Sequence, residues 1–107
     1  MNINQLVRES YATASEKGWW DEERPFAENI ALMHSELSEA LEDFRDRRGM
    51  NQIYYEEDKP CGISIEFADT IIRIADVCGY YGIDLEAALK MKMEYNKTRP
   101  YKHGKAI

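Results

Sequence analysis

Cysteine is scarce in this sequence. The 107 residues hold two, Cys61 and Cys78, and no CxxC pair. A disulfide scaffold would be denser, so free structural thiols in a reducing cytoplasm are the expectation. Long apolar runs are missing too. No stretch reaches the roughly 18 apolar residues that a membrane-spanning helix needs. The N-terminus, MNINQLVRES, lacks the basic-then-apolar pattern of a signal peptide. Positive charge is in deficit, with 14 Lys and Arg against 20 Asp and Glu and a net charge of −6. That argues against a general nucleic-acid or membrane-surface binder, whose phosphate contacts need a basic face. A small anionic ligand stays admissible if a cation mediates. Strand-type alternation is nearly absent, and so are internal repeats and low-complexity segments.

What is present is a globular composition, 44% hydrophobic, with seven tyrosines, three phenylalanines and two tryptophans, which argues against disorder. The length suits a single domain spanning residues 1–107. So small a domain buries a limited share of its surface, and self-association would help it.

Four helical segments are expected. The first runs from near Asn4 to Lys17, with Asn2 or Asn4 as cap and Gly18 as stop. The connector GWWDEERP follows. The second begins near Pro25, favoured in a first helical turn. Phe26, Ile30, Met33, Leu37, Ala40 and Phe44 recur at steps of three and four and form an apolar stripe. It ends at RDRRG, where basic residues meet the negative end of the helix dipole. Residues 49–62 read as a loop, with QIYY as a short extended piece. The third helix covers about Ser64–Tyr81 and is apolar on most sides. Asp84 caps the fourth, roughly Leu85–Lys97, which Pro100 stops before the tail YKHGKAI. Short links between long helices favour antiparallel neighbours, so the expected fold is an all-α antiparallel bundle of about four helices. The nearly all-apolar third helix adds the expectation of an oligomer, a homodimer or homotetramer.

The segment HSELSEALEDF crowds Glu36, Glu39, Glu42 and Asp43 into two turns, although like charges at helical spacing repel. At 100° per residue, Glu36, Glu39 and Asp43 share one flank of the apolar stripe, while Glu42 points to solvent. On the third helix Glu66, Asp69, Arg73 and Asp76 share a sector of roughly 80°. A polar strip on a buried helix must face a partner, a cleft or an ion, because unpaired buried carboxylates are costly. Two readings follow. The acids are solvated and Asp69 simply pairs with Arg73 at i,i+4. Or two i,i+3 acid pairs surround one divalent cation, for which hard oxygen ligands suit Mg²⁺ or Mn²⁺. No Glu-x-x-His spacing supports a di-iron bundle.

Glu36-x-x-Glu39, 26 intervening residues, then Glu66-x-x-Asp69 resembles the MazG-type all-α nucleoside triphosphate pyrophosphohydrolases, whose motif is ExxE, a spacer and ExxD. EFADTIIRIADVCGYYGIDLEAALKMKMEYNKTRPY is similar to that family's ELADV-like helix, its Gly-Ile-Asp-Leu turn and its final K-x-x-x-N-x-x-R pattern, here Lys92, Asn96 and Arg99. The resemblance runs from about residue 26 to 101. It implies hydrolysis of (deoxy)nucleoside triphosphates to monophosphate and pyrophosphate, with Mg²⁺ held by Glu36, Glu39, Glu66 and Asp69. A carboxylate not fully used as a ligand can act as general base, and Glu39 is the candidate. Lys92, Asn96 and Arg99, at i, i+4 and i+7, would clamp the phosphates; otherwise they are cations at a solvated helix end. Lys59 and Arg73 are further phosphate candidates, with Arg73 also suited to orient Asp69. Trp19 and Trp20 either cover the core or offer a stacking surface to a base, and Trp20 joins the substrate-binding set. The rival from another class is a helical dimerisation or regulatory module whose acidic face binds a cation or a basic partner without turnover.

Overall fold

The computed structural model describes residues 1–104. Helix α1 spans Ile3–Glu16. Of the two candidate caps it uses Asn2, whose side chain accepts the Gln5 N–H at 2.8 Å while Gln5 accepts the Asn2 N–H at 2.9 Å, a reciprocal capping box. Asn4 instead donates to Glu86 of the fourth helix at 2.6 Å. Helix α2 spans Phe26–Arg45 and follows Pro25. Helix α3 spans Ile63–Tyr81 and closes on Gly82 in the left-handed conformation. Helix α4 spans Leu85–Thr98, and Asp84 caps it by accepting the Ala87 N–H at 3.0 Å.

The loop between α2 and α3 contains a small antiparallel hairpin, β1 Tyr54–Glu56 and β2 Lys59–Cys61. The first strand overlaps the anticipated extended piece; its partner was not anticipated. Strands of three residues are too short to display alternation. The Tyr54 hydroxyl donates to the Asp43 carboxylate, and the Arg48 guanidinium lies 3.8 Å from the Tyr54 ring centroid. That hydrogen bond pushes the tyrosine pKa up to about 12. The hairpin re-enters α3 through Gly62 at φ +134°, where a Cβ would meet the Gln52 carbonyl oxygen at 2.3 Å. Only glycine fits that turn.

α3 is the central element, packed against α1 on one side and α2 on the other. α1 comes close because Gly79 has no side chain: a Cβ there would stand 2.5 Å from Tyr11 Cβ. α4 leans on α1 and buries no residue. One chain is therefore three packed helices with a fourth projecting, rather than a closed four-helix bundle. The radius of gyration, 16.4 Å, exceeds the about 13 Å of a compact chain of this length.

The α2 stripe is turned differently from expectation. Phe26, Leu37 and Phe44 are each about half exposed, and of the six stripe residues only Ala40 is buried. Asn29, Ala40 and Asp43 form the buried face. α2 presents its polar flank to α3 because the acids there find partners, Tyr54 for Asp43 and Arg73 for Glu36. α3 is likewise open along Phe67, Ile71 and Ile72. Among the described residues the buried apolar ones are Ala40, Cys61, Ile63, Ala75, Val77 and Cys78, and no large side chain is fully buried. Both cysteines are free and buried. No helix among the described residues is long and apolar enough to cross a membrane.

Candidate metal centre

Glu36 and Glu39 lie one turn apart on α2, and Glu66 opens α3 just past the Gly62 turn. Packing α2 on α3 brings one carboxylate oxygen from each of the three within 4.8 Å of one another. An ion bound at 2.0–2.1 Å in octahedral geometry holds neighbouring oxygens about 3 Å apart and opposite ones about 4.2 Å apart, so the three carboxylates would draw closer together to ligate one ion. Glu66 is 4% exposed, and its Oε2 is buried with no hydrogen-bond partner. An ionised carboxylate so situated demands a proton or a cation. The donor set is all hard oxygen, which suits Mg²⁺ and Mn²⁺ and equally other hard divalent ions.

Electrostatics agree with crowding. Burial, then the Glu39 carboxyl that the protonated form can hydrogen-bond, push Glu66 up to about 8, and Glu36 and Asp69 add to the shift. Asp69 is also raised, first by burial and then by Glu36, against the opposing pull of Lys59 and Arg73.

Asp69, the fourth expected ligand, is not in the three-oxygen group; it lines the adjoining cleft with Glu36 and Glu39. Arg73 does not make the anticipated pair with Asp69. Its Nε donates to Glu36 Oε1 at 2.9 Å, joining α3 to α2. Glu42 faces solvent beside Arg45, 3.7 Å away, as its helical angle required. Asp43 is taken by Tyr54.

The cleft measures about 680 Å³, within the usual range of small-molecule sites. It is lined by Glu36, Glu39, Asp69, Arg73 and Asp76, and by Lys59 of the hairpin. α1 and the connector line it as well, through residues that include Ser10, Thr13 and Trp19. Trp19, not Trp20, lines the cleft. Its ring carries the Arg24 guanidinium 3.9 Å from its centroid and that of Arg73 at 5.1 Å. Trp20 stacks on Tyr80 with centroids 3.9 Å apart and donates its Nε1–H to Asp76 Oδ1 at 2.7 Å. Adjacent tryptophans in a connector carry no signal of which one turns inward. Asp76 was visible as the far end of the polar strip on α3, but nothing in its spacing gave it a task.

Lys92, Asn96 and Arg99 do not line this cleft. Arg99 is the C-cap of α4 with extended backbone, so the three do not share one helical face. Pro100 enforces that, since the residue before proline is driven out of the helical region. The Lys92 ammonium and the Arg99 guanidinium instead lie 4.7 and 5.6 Å from the Tyr95 ring centroid.

Comparison of the chain with protein-family models, curated proteins and solved structures returned no match.

Proposed function

We propose that the protein is a Mg²⁺-dependent nucleoside triphosphate pyrophosphohydrolase of the cytoplasm. It takes (deoxy)nucleoside triphosphates to monophosphate and pyrophosphate, and so clears surplus or unwanted nucleotides. The observation that carries the reading is the three-oxygen cluster of Glu36, Glu39 and Glu66, of which Glu36 and Glu39 line a nucleotide-sized cleft.

Glu36, Glu39 and Glu66 would hold the metal, with Asp69 beside them as the fourth carboxylate. When bound, the ion supplies charge neutralisation of phosphate oxygens and a more acidic water. Mn²⁺ would substitute. Glu39 is the exposed member of the trio, whereas Glu36 is engaged by Arg73 and Glu66 is buried. Glu39 is the carboxylate of the three most open to water, and would orient a water and take its proton as general base. Lys59 and the exposed edge of Arg73 bring positive charge to the same cleft, which an otherwise acidic protein needs in order to receive a triphosphate.

The half-exposed Leu37, Phe44, Phe67 and Ile71 support a homodimer or homotetramer. In that assembly α4 of a second copy would bring Lys92, Asn96 and Arg99 to the phosphates. The same exposed apolar surface also favours the rival reading, a non-enzymatic helical association module. Product analysis separates the two. With a dNTP panel and Mg²⁺, the hydrolase releases pyrophosphate and monophosphate; orthophosphate, or no product, refutes it.

A further inference from the structure

Asp76 is a buried carboxylate that the metal centre does not use. It is 6% exposed and lines the cleft. Trp20 Nε1 holds its Oδ1 at 2.7 Å, and among the described residues it has no other hydrogen-bond partner. One acceptor is thus fixed in place and the other lacks a protein donor. That second oxygen is open to the cleft, where water or a ligand can donate to it.

Its position says which part of a ligand it meets. Asp76 lies seven residues beyond Asp69 on α3, two turns along the same face and about 10.5 Å away. Arg73 stands between them. With a divalent ion held by the carboxylate cluster, a polyphosphate would belong at that end, beside Lys59 and Arg73. The uncharged end of the same molecule then reaches Asp76, where Trp19 and Ile72 offer apolar walls.

We propose that Asp76 is the specificity-determining residue of the cleft: its unpartnered oxygen accepts a hydrogen bond from an N–H or O–H of the substrate's nucleoside, and Trp20 is the positioning residue that fixes its rotamer. This rests on the nucleotide reading of the cleft. A site built around an acceptor rejects analogues that lack the matching donor, and loss of one hydrogen bond to a charged group corresponds to about ten- to hundredfold.

The test uses nucleotides that differ by a single donor: ribo-, deoxy- and dideoxynucleotides for the sugar, and base N–H against N-methylated analogues for the base. Hydrolysis of the triphosphates is measured as kcat/KM with Mg²⁺. Binding of the corresponding monophosphates is measured without metal by tryptophan fluorescence. Wild type is expected to favour one donor-bearing member of the panel by about ten- to hundredfold in both readouts. Asp76→Asn keeps an acceptor for Trp20 but turns an amide N–H₂ toward the cleft, and is expected to abolish or invert that preference. Trp20→Phe, which frees the carboxylate without removing it, is expected to narrow it. Donor-selective binding of monophosphates without pyrophosphate release would sink the hydrolase and leave Asp76 its role. Hydrolysis with an unchanged preference in Asp76→Asn, or a wild type indifferent to every donor, would overturn the role of Asp76.

Discussion

Arg73 Nε stands 2.9 Å from Glu36 Oε1, so the one cation in the polar strip of α3 is tied across to α2. The pair is largely shielded, with side chains 30% and 12% exposed. It clamps the helix pair and offsets one charge of a crowded acid cluster. Arg73→Gln leaves Glu36 beside Glu39 and Glu66 without its counter-charge. The expected cost is about 1–3 kcal/mol in denaturant unfolding without metal. In a double-mutant cycle Glu36→Gln should rescue much of it. Strictly additive effects would mean that the pair contributes nothing.

The metal-free protein should lose stability as pH rises. Glu66 has its folded pKa raised from 4.5 to about 8. Below about pH 4.5 the carboxyl is protonated in both states and costs nothing. Between that pH and about 8, the folded state keeps a proton that the unfolded state releases, so this group lowers stability progressively. Divalent-ion binding needs the ionised form and should strengthen over the same window. Melting temperatures across that range should fall for wild type in chelator and stay flatter for Glu66→Gln. Parallel curves would show that Glu66 titrates normally.

The helices were legible because periodicity, caps and stop signals agree: Asn2, Gly18, Asp84 and Pro100 all mark real boundaries. The convergence of Glu36, Glu39 and Glu66 was legible as well, since i,i+3 spacing on two helices leaves few arrangements. Helix rotation was not. The stripe of Phe26, Leu37 and Phe44 announces an apolar face without saying whether that face meets its own chain or another molecule. The partner of Arg73 was equally hidden: Asp69 is nearer in sequence, but Glu36 is reached only once α2 and α3 pack. The inward turn of Trp19 rather than Trp20 depends on connector backbone that propensity does not encode.

Self-association is the expectation that the exposed apolar rows of α2 and α3 raise. Sedimentation at micromolar concentration should give a dimer or larger. Ile71→Asp, which puts a charge into the α3 row, should weaken association by about tenfold or more. A wild type that stays monomeric contradicts this, and with it the supply of Lys92, Asn96 and Arg99 from a second copy.

Metal should stabilise the folded chain. At a concentration about a hundredfold above Kd, Mg²⁺ is expected to add about 2.7 kcal/mol to wild type. Glu39→Gln removes one repelling charge, so without metal it should melt no lower than wild type. With Mg²⁺ it should gain less. Equal gains in the two proteins would take Glu39 out of the metal centre.

Pyrophosphate release from a dNTP panel by wild type and Glu39→Gln side by side, in saturating Mg²⁺, tests the central claim most directly. Wild type should release pyrophosphate, and the variant, which keeps the shape of the side chain but cannot take a proton, should be slower by about a hundredfold or more. Equal rates in the two proteins, or no pyrophosphate from wild type with any dNTP, would contradict it.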